Sequence, residues 1–341
     1  MNWSSFLCTF AQRKVFFVEV IQKIQEPIAF ELEQYNTQFQ ASLQHENPML
    51  QMALQHLLQR KGKLMRSTLL FLSARMYGQV NQNVMDAALA LELLHTASLV
   101  HDDVVDESDR RRGIPSVNKL MGSKAAVLVG DFILSKALEH AAQTKNPEVV
   151  SVISQLGQAL ADGELKQLHN IESKKIDEAS YYEVIRKKTA SLFAASAQLG
   201  ALLAGGTPEN AERMRQFGQL VGICFQLRDD IFDYDDSQDV GKPTGNDLRE
   251  GKLTLPLIYA LRQSNNEQML AKAYKVRAHE ATTEEVAELV EFTKQQGGLE
   301  YATWAMDEFR MMASGLIDES KHPEVVNSLH LYVDFVAKRN I

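Results

Sequence analysis

A chain of 341 residues with 45% hydrophobic residues can bury one large core or two ordinary ones, and its formal charge of −8 argues against a nucleic-acid surface, which would carry a basic patch. No run of eighteen apolar residues occurs, which excludes a membrane-spanning helix, and the two cysteines, Cys8 and Cys224, support neither a disulfide framework nor a cysteine-rich zinc site. Phe6, Leu7, Cys8 and Phe10 precede Arg13 and Lys14, the reverse of a secretory layout, so a cytoplasmic location is expected.

Apolar residues recur at steps of three and four from Asp86 to Asp106, without proline or glycine, and predict a long helix. The same pattern predicts helices over Ala125–Ala142, where Gly130 interrupts it, and around Val149–Leu168, Tyr181–Leu203 and Ala211–Tyr234. Gly78, Gly113 with Pro115, Pro147, Gly205-Gly206 with Pro208, and Gly241 with Pro243 and Gly245 separate these blocks. Alternating strand patterns are scarce and no shift in composition divides the chain. The expectation is one all-α domain whose long central helices, apolar around much of their circumference, are buried. The more polar stretch from Gln263 to Gly298 reads as outer helices and loops.

Carboxylates recur twice at positions i, i+1 and i+4: Asp102, Asp103 and Asp106, then Asp229, Asp230 and Asp233. On a helix the outer two share a face and can share a metal cluster. Magnesium takes oxygen ligands, one or two carboxylates with substrate phosphates and waters. Leu99, Val100, Val104 and Val105 flank the first cluster, and Ile231, Phe232 and Tyr234 the second. Crowded carboxylates on apolar helices are costly unless cations neutralise them, which favours a metal cage over a solvated face. An EF-hand over Asp233, Asp235, Ser237 and Asp239 fails, because Gln238 takes the place of the required glycine and Thr244 that of the final Glu.

Cations for a diphosphate stand near the predicted helix boundaries: Lys61-Gly62-Lys63 with Arg66, Arg110-Arg111-Arg112-Gly113, Lys187-Lys188-Thr189, Lys242 and Lys252. Arginine offers a planar fork for phosphate oxygens and lysine a compact point charge. His95 lies seven residues before Asp102, two turns away on the same face. His101 reads as structural.

Gly62 to Arg66, Leu93 to Asn118, Gly130-Asp131-Phe132, Lys188 to Phe193, Gln226 to Asp233 and Gly241 to Pro256 occur in a specific order. In this the chain resembles the trans-type isoprenyl diphosphate synthases, the polyprenyl synthetase family, over residues 25–341, with 1–24 as an N-terminal extension. The resemblance implies a helical bundle of the isoprenoid synthase type with a central active-site cavity. It implies a prenyltransferase that condenses isopentenyl diphosphate with an allylic diphosphate, using magnesium, three ions per site, in a homodimer. Lys63, Arg66, His95 and Arg112 match positions that bind isopentenyl diphosphate. Arg111, Lys188, Thr189, Gln226, Lys242 and Lys252 match positions around the allylic diphosphate. Asp102, Asp106 and Asp229 match the principal metal ligands, with Asp103 and Asp233 supporting, and Lys188 joins the three as catalytic. One departure is visible: Lys61, Leu64 and Ser67 replace three residues of the usual Gly-Gly-Lys-Arg-x-Arg-Pro.

Product length follows from helix geometry. Ala97 and Ser98, five and four residues before Asp102, are small where family members that stop early carry bulky aromatics. A helical turn of about 5.4 Å matches roughly one isoprene unit, so an open turn predicts a product longer than fifteen carbons. Leu94 and Phe132 are candidate floor residues, with ordinary core packing as the competing reading. Three alternatives stand beside this one. A class I terpene cyclase has no use for Lys63, Arg66 and His95. A metal phosphohydrolase built on His101 and Asp102 with His56, His95 and Asp229 leaves Asp106 and Asp233 without a task. A non-catalytic partner subunit would be free to lose aspartates that this chain keeps.

Overall fold

The computed structural model describes residues 18–59, 63–111, 113–172, 175–234 and 244–338. Arg112 and Lys242, both assigned above to diphosphate binding, lie outside the described residues. After helical residues 18–25 and a short 3₁₀ turn come α1 (Ala29–Ser42), α2 (Pro48–Leu58), α3 (Met65–Arg75) and α4 (Gln82–Val105). A two-residue ribbon, β1 (Arg110–Arg111) and β2 (Ile114–Pro115), precedes α5 (Val117–Met121), α6 (Ser123–Gln143), α7 (Pro147–Glu172) and α8 (Glu178–Ile185). A π-helical turn, Arg186–Ala190, joins α8 to α9 (Ser191–Leu203), followed by α10 (Pro208–Phe232) and α11 (Asn246–Arg249). The outer layer is α12 (Leu255–Ser264), α13 (Glu267–Arg277), α14 (Thr283–Gln295), α15 (Gly298–Ser314) and α16 (Pro323–Lys338). The fold is all-α, as expected.

Helix starts are set by local chemistry. Asn81 accepts from the Val84 amide at the head of α4 and Thr207 from the Asn210 amide at the head of α10, each meeting an amide that has no partner inside its helix. Pro48 and Pro208 stand at first-turn positions where a missing N–H costs nothing. Along Tyr181–Leu203 the sequence pattern predicts one unbroken helix. The structure inserts a π turn, with the Ser191 amide donating to the Arg186 carbonyl five residues back. A single extra residue in a turn leaves the apolar repeat almost unchanged, so periodicity alone does not reveal it.

The core is built on α9, whose Leu192, Phe193, Ala195, Ala197, Leu199 and Ala201 are all buried between α3 and α10. Glycines set the closest approaches. A Cβ on Gly200 would lie 2.2 Å from the Leu70 carbonyl oxygen of α3, and one on Gly218 2.2 Å from that of Phe193. Gly130, which interrupts the α6 pattern, has the same cause: a Cβ there would meet the His101 ring at 2.2 Å. His101 Nε2 lies 3.2 Å from the Val127 carbonyl and 3.4 Å from Asp131, so His101 seats α4 on α6. Among the described residues α4 alone is long and apolar enough to cross a membrane by length and composition, so the sequence-based exclusion was too strict. Most of it is buried in the bundle, as befits a core helix.

Candidate active site

The first acidic cluster closes α4. Asp102 is half-buried, and burial, followed by the charge of Glu164, pushes its carboxyl up to about 6, against the pull of Lys188 and Arg111. Asp106 caps the helix and is exposed. Asp103, one position round the helix from Asp102, turns away: it is 1% exposed and accepts a 2.6 Å bond from Arg111 Nε. Of the two oxygens expected to support a metal, Arg111 engages Oδ1, while the buried Oδ2 has no hydrogen-bond partner among the described residues. A buried carboxylate must be paired, and this one fixes Arg111, on β1, beside Asp102. His56 Nε2 lies 2.8 Å from the Pro115 carbonyl and ties the ribbon to α2, away from the hydrolase site considered for it.

The second cluster closes α10. Asp229 is exposed, whereas Asp230 is 2% exposed and accepts from Tyr181 Oη at 2.5 Å and from Gln226 Nε2 at 2.8 Å. Asp233, expected to support a metal, is engaged by the backbone. Its two carboxylate oxygens accept from the Asn246 and Asp247 amides at 2.9 and 3.0 Å, and its carbonyl accepts from Gly245. It caps the four-residue helix α11, whose orphan amides need an acceptor. The consequence is a carboxylate the sequence reading passed over. Asp247 is pushed up to about 7 by burial and the charge of Asp233, with Asp229 adding to the rise and Lys252 opposing it. The available signal was Gly245-Asn246-Asp247, a turn residue and an acid inside a stretch already singled out.

Two lysines connect the acids. Lys188 Nζ sits 2.5 Å from Glu164 Oε1 and 3.1 Å from Gln167 Oε1, both on α7, beside Asp102. Gly163 lets the π turn come this close: a Cβ there would lie 2.8 Å from Lys188 Cγ and 3.0 Å from Lys187 Cβ. Lys252 pairs with Glu250 at 2.6 Å and is held above the usual lysine range: burial works against its charge, but Glu250, Asp247 and Asp106 outweigh it. Asp106 belongs to the first cluster and Asp247 to α11, the short helix that Asp233 caps, so acids from two separate segments act on one ammonium. Thr189 donates to Gln226 Oε1 at 2.7 Å. Lys188, Thr189, Gln226 and Lys252 line one cavity of about 230 Å³ together with Tyr181, Asp230 and Asp247.

Arg66 forms a two-point bond to Glu92, Nη2 to Oε1 at 3.0 Å and Nε to Oε2 at 3.2 Å. Glu92 lies one turn before His95 on α4, which groups Arg66 and His95 on one stretch of that helix. Lys63 precedes Leu64, a left-handed residue with φ of 52° that starts α3. Ala97 is buried, Ser98 Oγ donates to the His95 carbonyl, and Leu94 faces Gly157 of α7. Phe132 packs edge-on to His45, with ring centres 5.1 Å apart. Among the described residues no three His, Cys, Asp or Glu side chains converge closely enough to hold an ion unaided. That suits an ion completed by phosphate oxygens and water more than a closed protein cage.

An all-helical bundle with two acid-tipped helices, and a cavity lined by Lys188, Lys252, Asp230 and Asp247, defines a class: enzymes that handle prenyl diphosphates. The chain belongs to the polyprenyl synthetase family, whose model it matches over residues 47–293. It is 36% identical over 322 residues to the octaprenyl diphosphate synthase of Haemophilus influenzae, covering 93% of this chain and 97% of that one. A crystal structure of geranylgeranyl pyrophosphate synthase from Bacteroides thetaiotaomicron is similar at a TM-score of 0.83 and 42% identity, covering 94% and 100% of the two chains. A polyprenyl synthase from Caulobacter crescentus, crystallised with calcium and isoprenyl diphosphate, superposes at a TM-score of 0.87 with 29% identity, covering 94% and 98%. The protein is a trans-prenyltransferase that makes polyprenyl diphosphates.

Proposed function

We propose that this enzyme adds isopentenyl diphosphate repeatedly to an allylic diphosphate, giving a linear all-trans chain longer than fifteen carbons. The observation that carries the reading is that Lys188 and Lys252 line one cavity with Asp230, at the end of α10, and Asp247, while Asp102, at the end of α4, stands beside Lys188. An anion with several oxygens, seated between those ends, can draw on Lys252 and Lys188 together.

Lys188, Lys252 and Arg111, with Lys242, hold the allylic diphosphate. Lys63, Arg66 and His95, with Arg112, hold isopentenyl diphosphate, Arg66 through the fork that now grips Glu92. Thr189 and Gln226 present oxygen to the allylic carbon as it gains positive charge, and apolar walls keep out the water that would quench it. The isopentenyl double bond attacks that carbon, and loss of a proton completes the step, with the released diphosphate as acceptor.

Asp102, Asp106, Asp229 and Asp247 fit a magnesium cluster of three ions: they are hard oxygen donors, and the raised carboxyls of Asp102 and Asp247 are those an added cation would relieve. Magnesium, when bound, supplies Lewis-acid stabilisation of the leaving diphosphate. We take the synthase domain to span residues 25–341, a reading supported by the family match over 47–293. A homodimer is supported by apolar side chains exposed on α6, among them Val127, Leu128 and Leu138. A cytoplasmic location fits a chain whose one span-length described helix is mostly buried in its core, and the net charge of −8 disfavours a nucleic-acid partner.

The test is incubation of the purified protein with farnesyl diphosphate, labelled isopentenyl diphosphate and magnesium. A chromatographic ladder of longer chains is expected, with its end point giving the length. Phosphate release without chain growth would overturn the reading in favour of a hydrolase.

A further inference from the structure

Four side chains from α8, the π turn and α10 form a directed hydrogen-bond chain along the wall of the cavity. Tyr181 Oη donates to Asp230 Oδ2 at 2.5 Å, Gln226 Nε2 donates to Asp230 Oδ1 at 2.8 Å, and Thr189 Oγ1 donates to Gln226 Oε1 at 2.7 Å. Each link fixes the next. In the structure the amide NH₂ of Gln226 donates to Asp230, so the amide carbonyl faces the other way. That carbonyl then takes the only hydroxyl proton of Thr189. A hydroxyl whose proton is committed has only lone pairs left to offer.

We propose that Tyr181 is a positioning residue: through Asp230 and Gln226 it fixes the polarity of Thr189, so that the hydroxyl oxygen, and not its proton, faces the developing allylic cation. The inference rests on the proposed function for the place of Thr189 beside that cation. The tyrosine itself touches none of the reacting atoms. Its ring is 8% exposed, and its neighbour Tyr182 stacks edge-on at 5.3 Å, so the phenol is held in place by packing as well as by Asp230. The chemistry explains the choice of residue types. Asp230 could be satisfied by any two donors, but a relay that ends in an oriented hydroxyl needs a middle group that donates at one end and accepts at the other in a fixed plane, as the Gln226 amide does.

A double-mutant cycle on the full-length enzyme tests this, with kcat and the KM of both substrates measured for Tyr181→Phe, Thr189→Val and the pair. Tyr181→Phe is expected to lower kcat about tenfold, the scale of one hydrogen bond to a charged group, with KM moved by less than about twofold. In the Thr189→Val background the same change is expected to cost less than about twofold, because the relay then has no hydroxyl to orient. Equal losses in the two backgrounds would overturn the relay, since a purely structural tyrosine is indifferent to Thr189. Full activity of Thr189→Val alone would instead remove Thr189 from the cation and, with it, that part of the proposed function. Should Tyr181→Phe lower the melting temperature enough to compromise the assay, Gln226→Leu takes its place in the cycle. Additive losses of Gln226→Leu and Thr189→Val would then be the overturning result.

Discussion

The Lys188 ammonium lies 2.5 Å from the Glu164 carboxylate, and the same carboxylate raises the proton affinity of Asp102. On the proposed reading of Lys188 as a ligand of the diphosphate, Glu164 holds, in charge if not in shape, the place a phosphate would take. Glu164→Gln keeps an oxygen for Lys188 and removes the negative charge. Affinity for inorganic diphosphate is expected to rise about threefold, within the range of a partly exposed ion pair. Competitive inhibition constants decide it, and an unchanged constant would place the diphosphate elsewhere.

Gly163 permits that contact. Gly163→Ala puts a methyl 2.8 Å from Lys188 Cγ and 3.2 Å from the Lys188 backbone nitrogen, so the π turn has to shift. The expected cost is roughly 1–3 kcal/mol of stability, as for other overpacked sites, together with a fall of about tenfold in kcat/KM for the allylic substrate. Urea unfolding and steady-state kinetics measure the two. A stable variant with full activity would mean that the lysine's position does not matter.

Asp102 and Asp247 give the metal-free protein a characteristic pH dependence. Both carboxyls are raised, from 3.8 to about 6 and about 7, so the folded state binds their protons more tightly than the unfolded chain does. Their contribution to stability is full below about pH 4 and is lost as pH rises through 6 to 7. Thermal unfolding in a chelator is expected to shift down by several degrees between pH 5 and pH 8, and less so in Asp247→Asn. Magnesium at pH 8 is expected to restore the difference. A melting temperature indifferent to both pH and magnesium would contradict the placement of these acids.

Ala97→Phe tests the ruler on α4. Ala97 is 2% exposed, five residues or about 1.4 turns before Asp102, so a bulky ring there must enter the space between helices. Products are expected to shorten by at least one isoprene unit, read by chromatography. Unchanged length would dissociate Ala97 from the chain's path.

The helical architecture was legible because the core helices carry their own period and their own punctuation. Pro208 and Asn81 start helices for reasons visible in any sequence, and the interruption at Gly130 marked a real contact with His101. The acid pattern located both helix ends but not the division of labour inside each cluster. Spacing places Asp102 and Asp106 on one face, yet it could not show that Asp103 would be claimed by Arg111, or Asp233 by the amides of α11. Those assignments depend on segments that arrive from elsewhere in the chain. Asp247 was missed for the same reason: Gly245-Asn246-Asp247 signals no more than a turn and an acid until Asp233, fourteen positions earlier, folds the turn around itself. The β ribbon was too short for any alternation to register.

The seat of His101 in the notch at Gly130 makes the aim of the first acidic helix end a property of two helices. Asp102 directly follows His101, and Asp131 directly follows Gly130, so a displacement of α6 reaches the acid within a single peptide unit. Whatever rests on the outward side of α6, where Val127 and Leu128 stand exposed, is therefore mechanically in series with the chemistry. A neighbour docking there would stiffen the catalytic end without touching it.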